Sequence, residues 1–174
     1  TLIENFREDE TTCVALAAAL DRETGSLGTI ESRNGEYIYA FKLKSSHHES
    51  VIKYVKGMFS IDSLETAYID EVQFLLQSTV EEILNLAVEH NVNVHLFGLS
   101  TTFTGAYFEA SKFLLDNLPI DCINQLSMSC QFDECLEQAK YNARIIDDKV
   151  VREGETFVSE KSKYLSLCKK HYFI

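Results

Sequence analysis

The sequence has few basic residues and lacks any long apolar run. Its 16 Lys and Arg residues face 27 Asp and Glu residues, which gives a formal net charge of −11 at pH 7. Such a surface repels a phosphate backbone, so nucleic acid is not expected as the main partner. No segment approaches the roughly 20 apolar residues of a membrane span, and the charged start TLIENFREDETTC lacks the apolar core of a secretory signal. We therefore expect a cytoplasmic protein without a membrane anchor.

The composition, 45% hydrophobic and 25% charged over 174 residues, is typical of a globular protein. This length fits one domain with a sizeable core, or one domain with a small appended lobe. After Pro119 the chain becomes polar and carries four of its five cysteines. We therefore predict an α/β core over residues 1–118 and a small lobe over residues 119–174.

Apolar runs and helical spacing alternate along the first part of the chain. The apolar runs predict strands at residues 12–20, 63–70 and 92–100, although the alanines of the first run also allow a helix. The last of these strands is expected to be buried. The dipeptide Asn34-Gly35 predicts a hairpin turn, because both residues tolerate positive φ. Helical spacing predicts helices at residues 1–11, around 51–55 and at 79–90. In the last of these helices, the residues expected to face the core are Val80, Ile83, Leu84 and Ala87, with Asn91 ending the helix.

The order strand, helix, strand with short links predicts a parallel sheet covered by helices. Asp70 and Glu71 then stand at the carboxyl end of a strand, where ligands bind in open α/β sheets. There, Asp can hold Mg²⁺ while Glu accepts a proton from a substrate hydroxyl. The alternative is a solvated strand end, and the letters IDE alone do not separate the two.

The cysteines are odd in number, which does not suit a disulfide framework. Cys130-x4-Cys135 and Cys168-x2-His171 form two ligand pairs that suit tetrahedral Zn²⁺, although spacing alone also allows buried or incidental cysteines. With four protein ligands, such a zinc site would be structural. Cys13 and Cys122 lie in apolar surroundings and are expected to be core thiols.

Several segments, taken in order, resemble the cytosolic (type II) thymidine kinases. The strand end of that family, IDE-x-QFF, is matched by YIDEVQFL, and its GLD…F-x-G-x-PF segment by VHLFGLSTTFTGAYF. Three further segments are similar to the family: TIESRNG, LLDNLPIDCINQLSMSC and ECLEQAKYNAR. The ending KYLSLCKKHYF is close to its YxSVCRxHY. All four predicted metal ligands fall on the zinc positions of the family.

The resemblance implies ATP-dependent phosphorylation of the 5′-hydroxyl of thymidine or deoxyuridine. It implies a tetramer with a P-loop kinase sheet, helices on both faces, and a zinc lobe with a lasso loop. Glu71 would be the general base, and the residues on the side of Mg²⁺ and the ATP phosphates would be Asp70, Gln73 and Thr1. The nucleoside would be bound by Phe74, Leu99, Phe103, Phe108, Val158 and Tyr164, with Tyr164 anchoring the lasso. Without the family, the aromatic residues would be interpreted as core.

The chain departs from the family in three places. No G-x-x-x-x-G-K-[ST] loop occurs; Ser100, Thr104 and Tyr107 replace an Asp, a basic residue and a proline; and Ser159-Glu160 replaces a Gly-Gly pair. Because a sheet without its central first strand would expose the edges of its neighbours, we expect that strand and its phosphate loop to precede Thr1.

The alternative is a homologue that has lost the phosphate loop. It would be a catalytically inactive thymidine kinase homologue, or the inactive half of a duplicated chain in a pseudo-tetramer, with a structural or regulatory role. A third hypothesis is a zinc-ribbon interaction module that binds no small molecule.

Overall fold

The structure, a computed structural model, describes residues 2–8, 12–19, 27–32, 34–44, 50–58, 61–154 and 162–174. The α-helices are Leu2–Glu8 (α1), Val51–Met58 (α2), Gln77–Glu89 (α3), Glu109–Asn117 (α4) and Lys169–Tyr172 (α5). The strands are Cys13–Ala19 (β1), Leu27–Glu31 (β2), Tyr37–Lys44 (β3), Thr66–Asp70 (β4), Asn93–Leu96 (β5), Tyr141–Ile146 (β6), Lys149–Val151 (β7) and Lys163–Leu167 (β8). None of the described helices is long and apolar enough to cross a membrane. The chain divides into two compact units, Thr1–Leu99 and Ser100–Ile174.

The first unit contains a five-stranded sheet in the order β2-β3-β1-β4-β5. The pairs β1 with β3, β1 with β4 and β4 with β5 are parallel, while β2 is antiparallel to β3. Parallel neighbours need crossover connections. The connection from β3 to β4, which flank β1 in the sheet, contains α2. The connection from β4 to its neighbour β5 contains α3. This confirms the predicted α/β arrangement with a mostly parallel sheet.

The central strand β1 is buried on both faces. Ala15 and Ala17 pack on one face with Leu2 and Ile3 of α1. On the other face, Leu16 is fully buried. The small alanine side chains let the α1 helix approach the sheet closely. The prediction of a strand here is confirmed, because burial on both faces outweighs the helix propensity of alanine.

The predicted hairpin at Asn34-Gly35 is also confirmed, since β2 and β3 pair in antiparallel register on either side of it. Gly35 has φ +82° and its N–H donates to the Ser32 carbonyl at 3.0 Å. The Ser32 N–H in turn donates to the Glu36 carbonyl at 2.8 Å. A glycine without Cβ adopts this positive φ at little cost.

Two predictions about burial in the first unit were wrong. The strand β5 was expected to be buried, but it lies at the edge of the described sheet and its residues are exposed or half-buried in alternation. The helix α3 was expected to bury Leu84 and Ala87, which are only half-buried, while Leu86 is fully buried instead. An apolar run does not reveal whether its strand has a neighbour on each side. Asn91, with φ +54°, follows the end of α3 as predicted.

The second unit contains a three-stranded antiparallel sheet in the order β7-β6-β8. Tyr172 is its largest fully buried side chain. The Tyr172 hydroxyl donates to the Phe103 carbonyl at 2.7 Å, and its ring stacks on Tyr141 with centroids 4.2 Å apart. The Arg152 guanidinium donates to the carbonyls of Tyr172 and Ile174. These contacts fix the short helix α5 against the sheet.

Candidate functional site

The strand β4 ends in the acid pair Asp70-Glu71. Asp70 is in register with Ala17 of β1, and Ala17 is in register with Lys42 of β3. Side chains in register on neighbouring strands point to the same face of a sheet. The acid and the lysine therefore lie in one row on the same face of the sheet, on either side of Ala17, and the Lys42 ammonium donates to the Thr29 carbonyl of β2 at 3.0 Å. This alignment of Lys42 was not predicted, because register cannot be read from one strand alone.

Glu71 has an uncommon backbone conformation, with φ 55° and ψ 36°. This left-handed region is sparsely occupied by residues other than glycine. It turns the chain out of β4 into a 3₁₀ helix, Val72–Phe74. The Glu71 N–H also donates to the Asp70 carboxylate at 3.0 Å. Non-glycine residues held in this region are concentrated at functional sites, which agrees with the predicted role of the pair.

Gln73 connects the acid pair to the neighbouring loop. The residue is only 4% exposed, and both ends of its side-chain amide are hydrogen-bonded. Its Nε2 donates to Glu71 Oε2 at 2.6 Å, and its Oε1 accepts from the Leu99 N–H at 3.0 Å. The resemblance predicted Gln73 on the phosphate side, whereas the hydrogen bonds described here are to Glu71 and Leu99.

Gly98 is required for this arrangement. The Phe97 N–H donates to the Ile69 carbonyl at 2.8 Å, and the Phe97 carbonyl accepts from the Val72 N–H at 3.1 Å. These bonds hold the loop after β5 against the end of β4. A Cβ atom on Gly98 would lie 2.4 Å from Gln73 Oε1 and 2.9 Å from Val72 Cγ1. The role of Gly98 was not predicted from the sequence, although a glycine close after an apolar strand is a signal of close backbone approach.

The pKa values of both acids are raised. Although Glu71 is exposed as a residue, its carboxyl group is partly withdrawn from water, and this desolvation is the main cause of its raised pKa. The Asp70 charge raises the pKa of Glu71 further, while the Gln73 hydrogen bond and the Lys42 ammonium lower it. Desolvation likewise raises the pKa of Asp70, offset in part by the Glu71 N–H and by Lys42. Glu71 is therefore a stronger base than an ordinary glutamate.

The predicted nucleoside-binding residues are divided between the two units. Phe74 is half-buried in the 3₁₀ helix, and Leu99 is 46% exposed. In the second unit, Phe103 is buried beneath the Arg144 guanidinium, 5.3 Å from its ring centroid. Phe108 is half-buried before α4, and Tyr164 is half-buried on β8. Thr1 and Val158 lie outside the described residues.

The predicted metal ligands of the second unit do come together. The ligand atoms of Cys130, Cys135, Cys168 and His171 all lie within 4.8 Å of one another. His171 Nδ1 is 3.5 Å from Cys130 Sγ and 3.4 Å from Cys168 Sγ. A tetrahedral zinc with bonds of about 2.3 Å to sulfur and 2.0–2.1 Å to nitrogen implies an S···N separation of about 3.6 Å. The donor set therefore fits a metal ion such as zinc.

The surroundings of Cys130 also suit a metal ligand. The Cys168 N–H donates to Cys130 Sγ at 3.2 Å. Burial raises the pKa of this thiol, but the N–H groups of Cys168 and Phe132 together with His171 lower it more, to about 6. The thiolate is the form that binds metals. The Phe132 ring stacks on the His171 imidazole, with centroids 4.1 Å apart, and orients it.

The remaining cysteines are separate from this cluster. Cys13 is half-buried and packs against the core of the first unit, as predicted. Cys122 was predicted to be a core thiol, but it is exposed. It belongs to a short 3₁₀ helix, Ile120–Cys122, in which no residue is buried. Of the apolar neighbours that suggested a core position, Ile120 is exposed and Ile123 is only half-buried.

Comparison with known proteins gives the family. The family model described as thymidine kinase matches residues 1–172. The chain belongs to the thymidine kinase family. The thymidine kinase of Bacillus subtilis subsp. natto is 42% identical over 172 residues, which cover 99% of this chain and 88% of the relative. That of Lactiplantibacillus plantarum is 31% identical over 170 residues, covering 97% and 84%. That of Francisella tularensis subsp. tularensis is 25% identical over 175 residues, covering 97% and 85%.

Membership of the thymidine kinase family confirms the resemblance, which rested on several segments that occur in the same order as in that family. The match extends over both compact units, so the acid pair and the Cys/His cluster both belong to the region that the family model covers. In this thymidine kinase family member, Asp70, Glu71 and Gln73 lie together at the end of β4 and are linked by hydrogen bonds.

Proposed function

We propose that this protein transfers the γ-phosphoryl group of ATP to the 5′-hydroxyl of thymidine or deoxyuridine, with Glu71 as the general base. Besides the family, one observation carries the proposal: an exposed carboxylate of raised pKa is held by Gln73 at the carboxyl end of a parallel strand. A base whose pKa lies closer to neutrality removes a hydroxyl proton more effectively. The 5′-oxygen attacks the phosphoryl group, its proton passes to Glu71, and ADP leaves.

Asp70 is proposed to face the phosphates. Its carboxylate is half-buried and lies in the same row as Lys42, so acid and cation occur together on one face of the sheet. Oxygen ligands of this kind suit Mg²⁺, which would neutralise charge on the transferring phosphoryl group when ATP is bound. Thr1 completes the set proposed for this side, whereas Gln73, which the resemblance also assigns to it, is hydrogen-bonded to Glu71 and Leu99. The Cys/His cluster would hold zinc in a structural role only.

The edge of the sheet supports a P-loop kinase fold. β5 pairs with β4 and with no other strand that the structure describes, and its apolar residues Val94 and Leu96 are only half-buried. A further parallel strand would cover this edge. We place there the strand that leads into the phosphate-binding loop, in a fold with helices on both faces of the sheet.

The nucleoside is proposed to bind through Phe74, Leu99, Phe103, Phe108, Val158 and Tyr164, with a lasso loop in the small lobe. Leu99 is the member whose exposure and backbone contact with Gln73 support this role most directly. We further propose a homotetramer in the cytoplasm, with an α/β core at residues 1–118 and a zinc and lasso lobe at residues 119–174.

The full-length protein, incubated with thymidine, ATP and Mg²⁺, is expected to form thymidine monophosphate with a turnover of about 1–100 s⁻¹. Product formation is measured by chromatography, and thymidine binding by thermal stabilisation. Stabilisation by thymidine without turnover and without ATP binding would favour the inactive homologue. Stabilisation by neither compound would favour the zinc-ribbon interaction module.

Replacing Lys42 by methionine is expected to move the acid limb of the pH profile of kcat to higher pH. The Lys42 ammonium lowers the pKa of Glu71, so its loss raises that pKa further. A general base works in its deprotonated form, and turnover falls as the pH drops through its pKa. In Lys42→Met this fall would begin at a higher pH than in the unaltered protein.

Lys53→Met is the control for this profile, because Lys53 is exposed on α2. It should leave the acid limb unchanged. An acid limb that is unchanged or displaced to lower pH in Lys42→Met would contradict the electrostatic role of Lys42.

A further inference from the structure

The orientation of the Gln73 amide is determined by its neighbours. The Leu99 backbone N–H can only donate, so the atom that faces it at 3.0 Å must be the amide oxygen. The amide nitrogen therefore faces the Glu71 carboxylate, which can only accept when ionised, at 2.6 Å. In the reverse orientation, the amide nitrogen would face the Leu99 N–H and the amide oxygen would face the Glu71 carboxylate, so neither hydrogen bond could form. Gln73 has one arrangement here that satisfies both partners.

Glu71 would be poorly oriented without this contact. It is exposed, and its left-handed backbone places it at a turn. An exposed glutamate side chain samples several rotamers, and the hydrogen bond from Gln73 to Oε2 restricts them. A base must lie within hydrogen-bond distance of the proton it removes, and small displacements of a reacting group lower rates strongly.

Gly98 leaves the space that Gln73 occupies. A Cβ atom there would come within 2.4 Å of Gln73 Oε1, so any larger residue must displace the amide or the loop. Gln73 is buried, with its amide held between Glu71 and the backbone of Leu99. The side chain is therefore fixed from both ends.

We infer that Gln73 is a positioning residue, which holds the Glu71 carboxylate in its working orientation by linking it to the backbone N–H of Leu99. This inference rests on the proposed function of Glu71 as the base. It differs from the role that the family resemblance implied for Gln73, in which the side chain faces phosphate or sugar. A group that contacted phosphate would act independently of Glu71, whereas a positioning residue acts only through it.

The test is a double-mutant cycle in the full-length protein. Gln73→Met keeps the approximate shape of the side chain but removes both hydrogen bonds, and should lower kcat by about 10- to 100-fold. The KM for thymidine should change by less than about threefold, because no substrate contact is removed. In a Glu71→Gln background, Gln73→Met should lower kcat by less than about twofold further, because the group that Gln73 positions is already gone.

Gln77→Met is the matched control. Gln77 is exposed on α3 and donates to Glu81 at 2.8 Å, so it also forms a Gln–Glu pair, but outside the site. It should leave kcat and KM unchanged. Thermal unfolding of every variant identifies any loss of kcat that is due to misfolding.

A second variant tests the same inference without altering Gln73. Gly98→Ala should displace the Gln73 amide and lower kcat by a similar factor. In a Gln73→Ala background the closest contact, with Gln73 Oε1, is absent and the contact with Val72 Cγ1 at 2.9 Å remains, so the same substitution should lower kcat by a smaller factor. Gly57→Ala is its control, because Gly57 lies in α2 with no atom within 4 Å of the added Cβ.

The outcomes separate the inference from the proposed function. If Glu71→Gln retains full turnover, the base is misassigned and the inference fails with it. If Glu71→Gln is inactive while Gln73→Met keeps the full kcat, the base stands and only the positioning role is refuted. Equal losses from Gln73→Met in both backgrounds would also refute it, since they would mean that Gln73 acts independently of Glu71.

Discussion

Glu71→Gln is expected to lower the kcat for thymidine phosphorylation by about 10²-fold or more, with the affinity for thymidine nearly unchanged. Glutamine has the shape of glutamate and can still accept the Gln73 hydrogen bond through its oxygen, so the turn at the end of β4 should be retained. What is lost is the group that is proposed to take the proton from the 5′-hydroxyl. Steady-state kinetics and thymidine binding by calorimetry measure the two quantities separately.

Glu81→Gln is a close control for this substitution. Glu81 is also exposed and also accepts a hydrogen bond from a glutamine, Gln77, but it lies on α3 and not at the end of β4. The control variant should keep full turnover. Unchanged turnover in Glu71→Gln itself would remove Glu71 from the mechanism, and a large loss of thymidine affinity would point to binding in place of proton transfer.

Replacement of Cys168, one of the four predicted metal ligands, is expected to have the largest effect on stability. Cys168→Ser should abolish the binding of one zinc per chain and with it the cooperative unfolding of the second unit. Structural zinc contributes about 10–16 kcal/mol of apparent binding free energy in small domains, which is as much as the whole stability of a typical domain. Cys168 also lies in the buried cluster with Cys130, Leu167 and Tyr172, so the metal would stand inside the core of this unit.

Metal analysis and thermal unfolding, with and without a chelator, measure this effect. Cys122→Ser is the control, because Cys122 is an exposed thiol outside the cluster. It should retain both the metal and the unfolding transition. A protein that contains no zinc, and whose unfolding is indifferent to chelation, would show that the four residues are a reduced thiol cluster only.

The sequence predicted those parts of the fold that depend on local pattern. Apolar runs predicted β1 and β4, and Asn34-Gly35 predicted the hairpin, because these features need only neighbouring residues. The position of Asp70 at a strand end followed from the same pattern. The Cys/His cluster was predicted from ligand spacing together with the family resemblance. Spacing alone was not sufficient, because the two ligand pairs are separated by more than 30 residues.

Features that depend on pairing between distant segments were not predicted. Predicting the row formed by Lys42, Ala17 and Asp70 requires the register of three strands, and predicting the space beside Gly98 requires the position of Gln73.

One local feature, the turn between β6 and β7, was also not predicted. It is formed by Asp147 and Asp148, which both have positive φ, although this turn more often contains glycine.

The position of Tyr172 directly after His171 has a consequence for how the second unit folds in the cell. Tyr172 donates its hydroxyl to the carbonyl of Phe103, 69 residues earlier, and His171 stands 41 residues after Cys130. A four-residue helix such as α5 has no stability in isolation. These contacts therefore cannot form while Tyr172 is still inside the ribosome. The nascent second unit would remain open after most of its residues have been synthesised. The four Cys and His residues could bind a metal ion together only after His171 has left the exit tunnel.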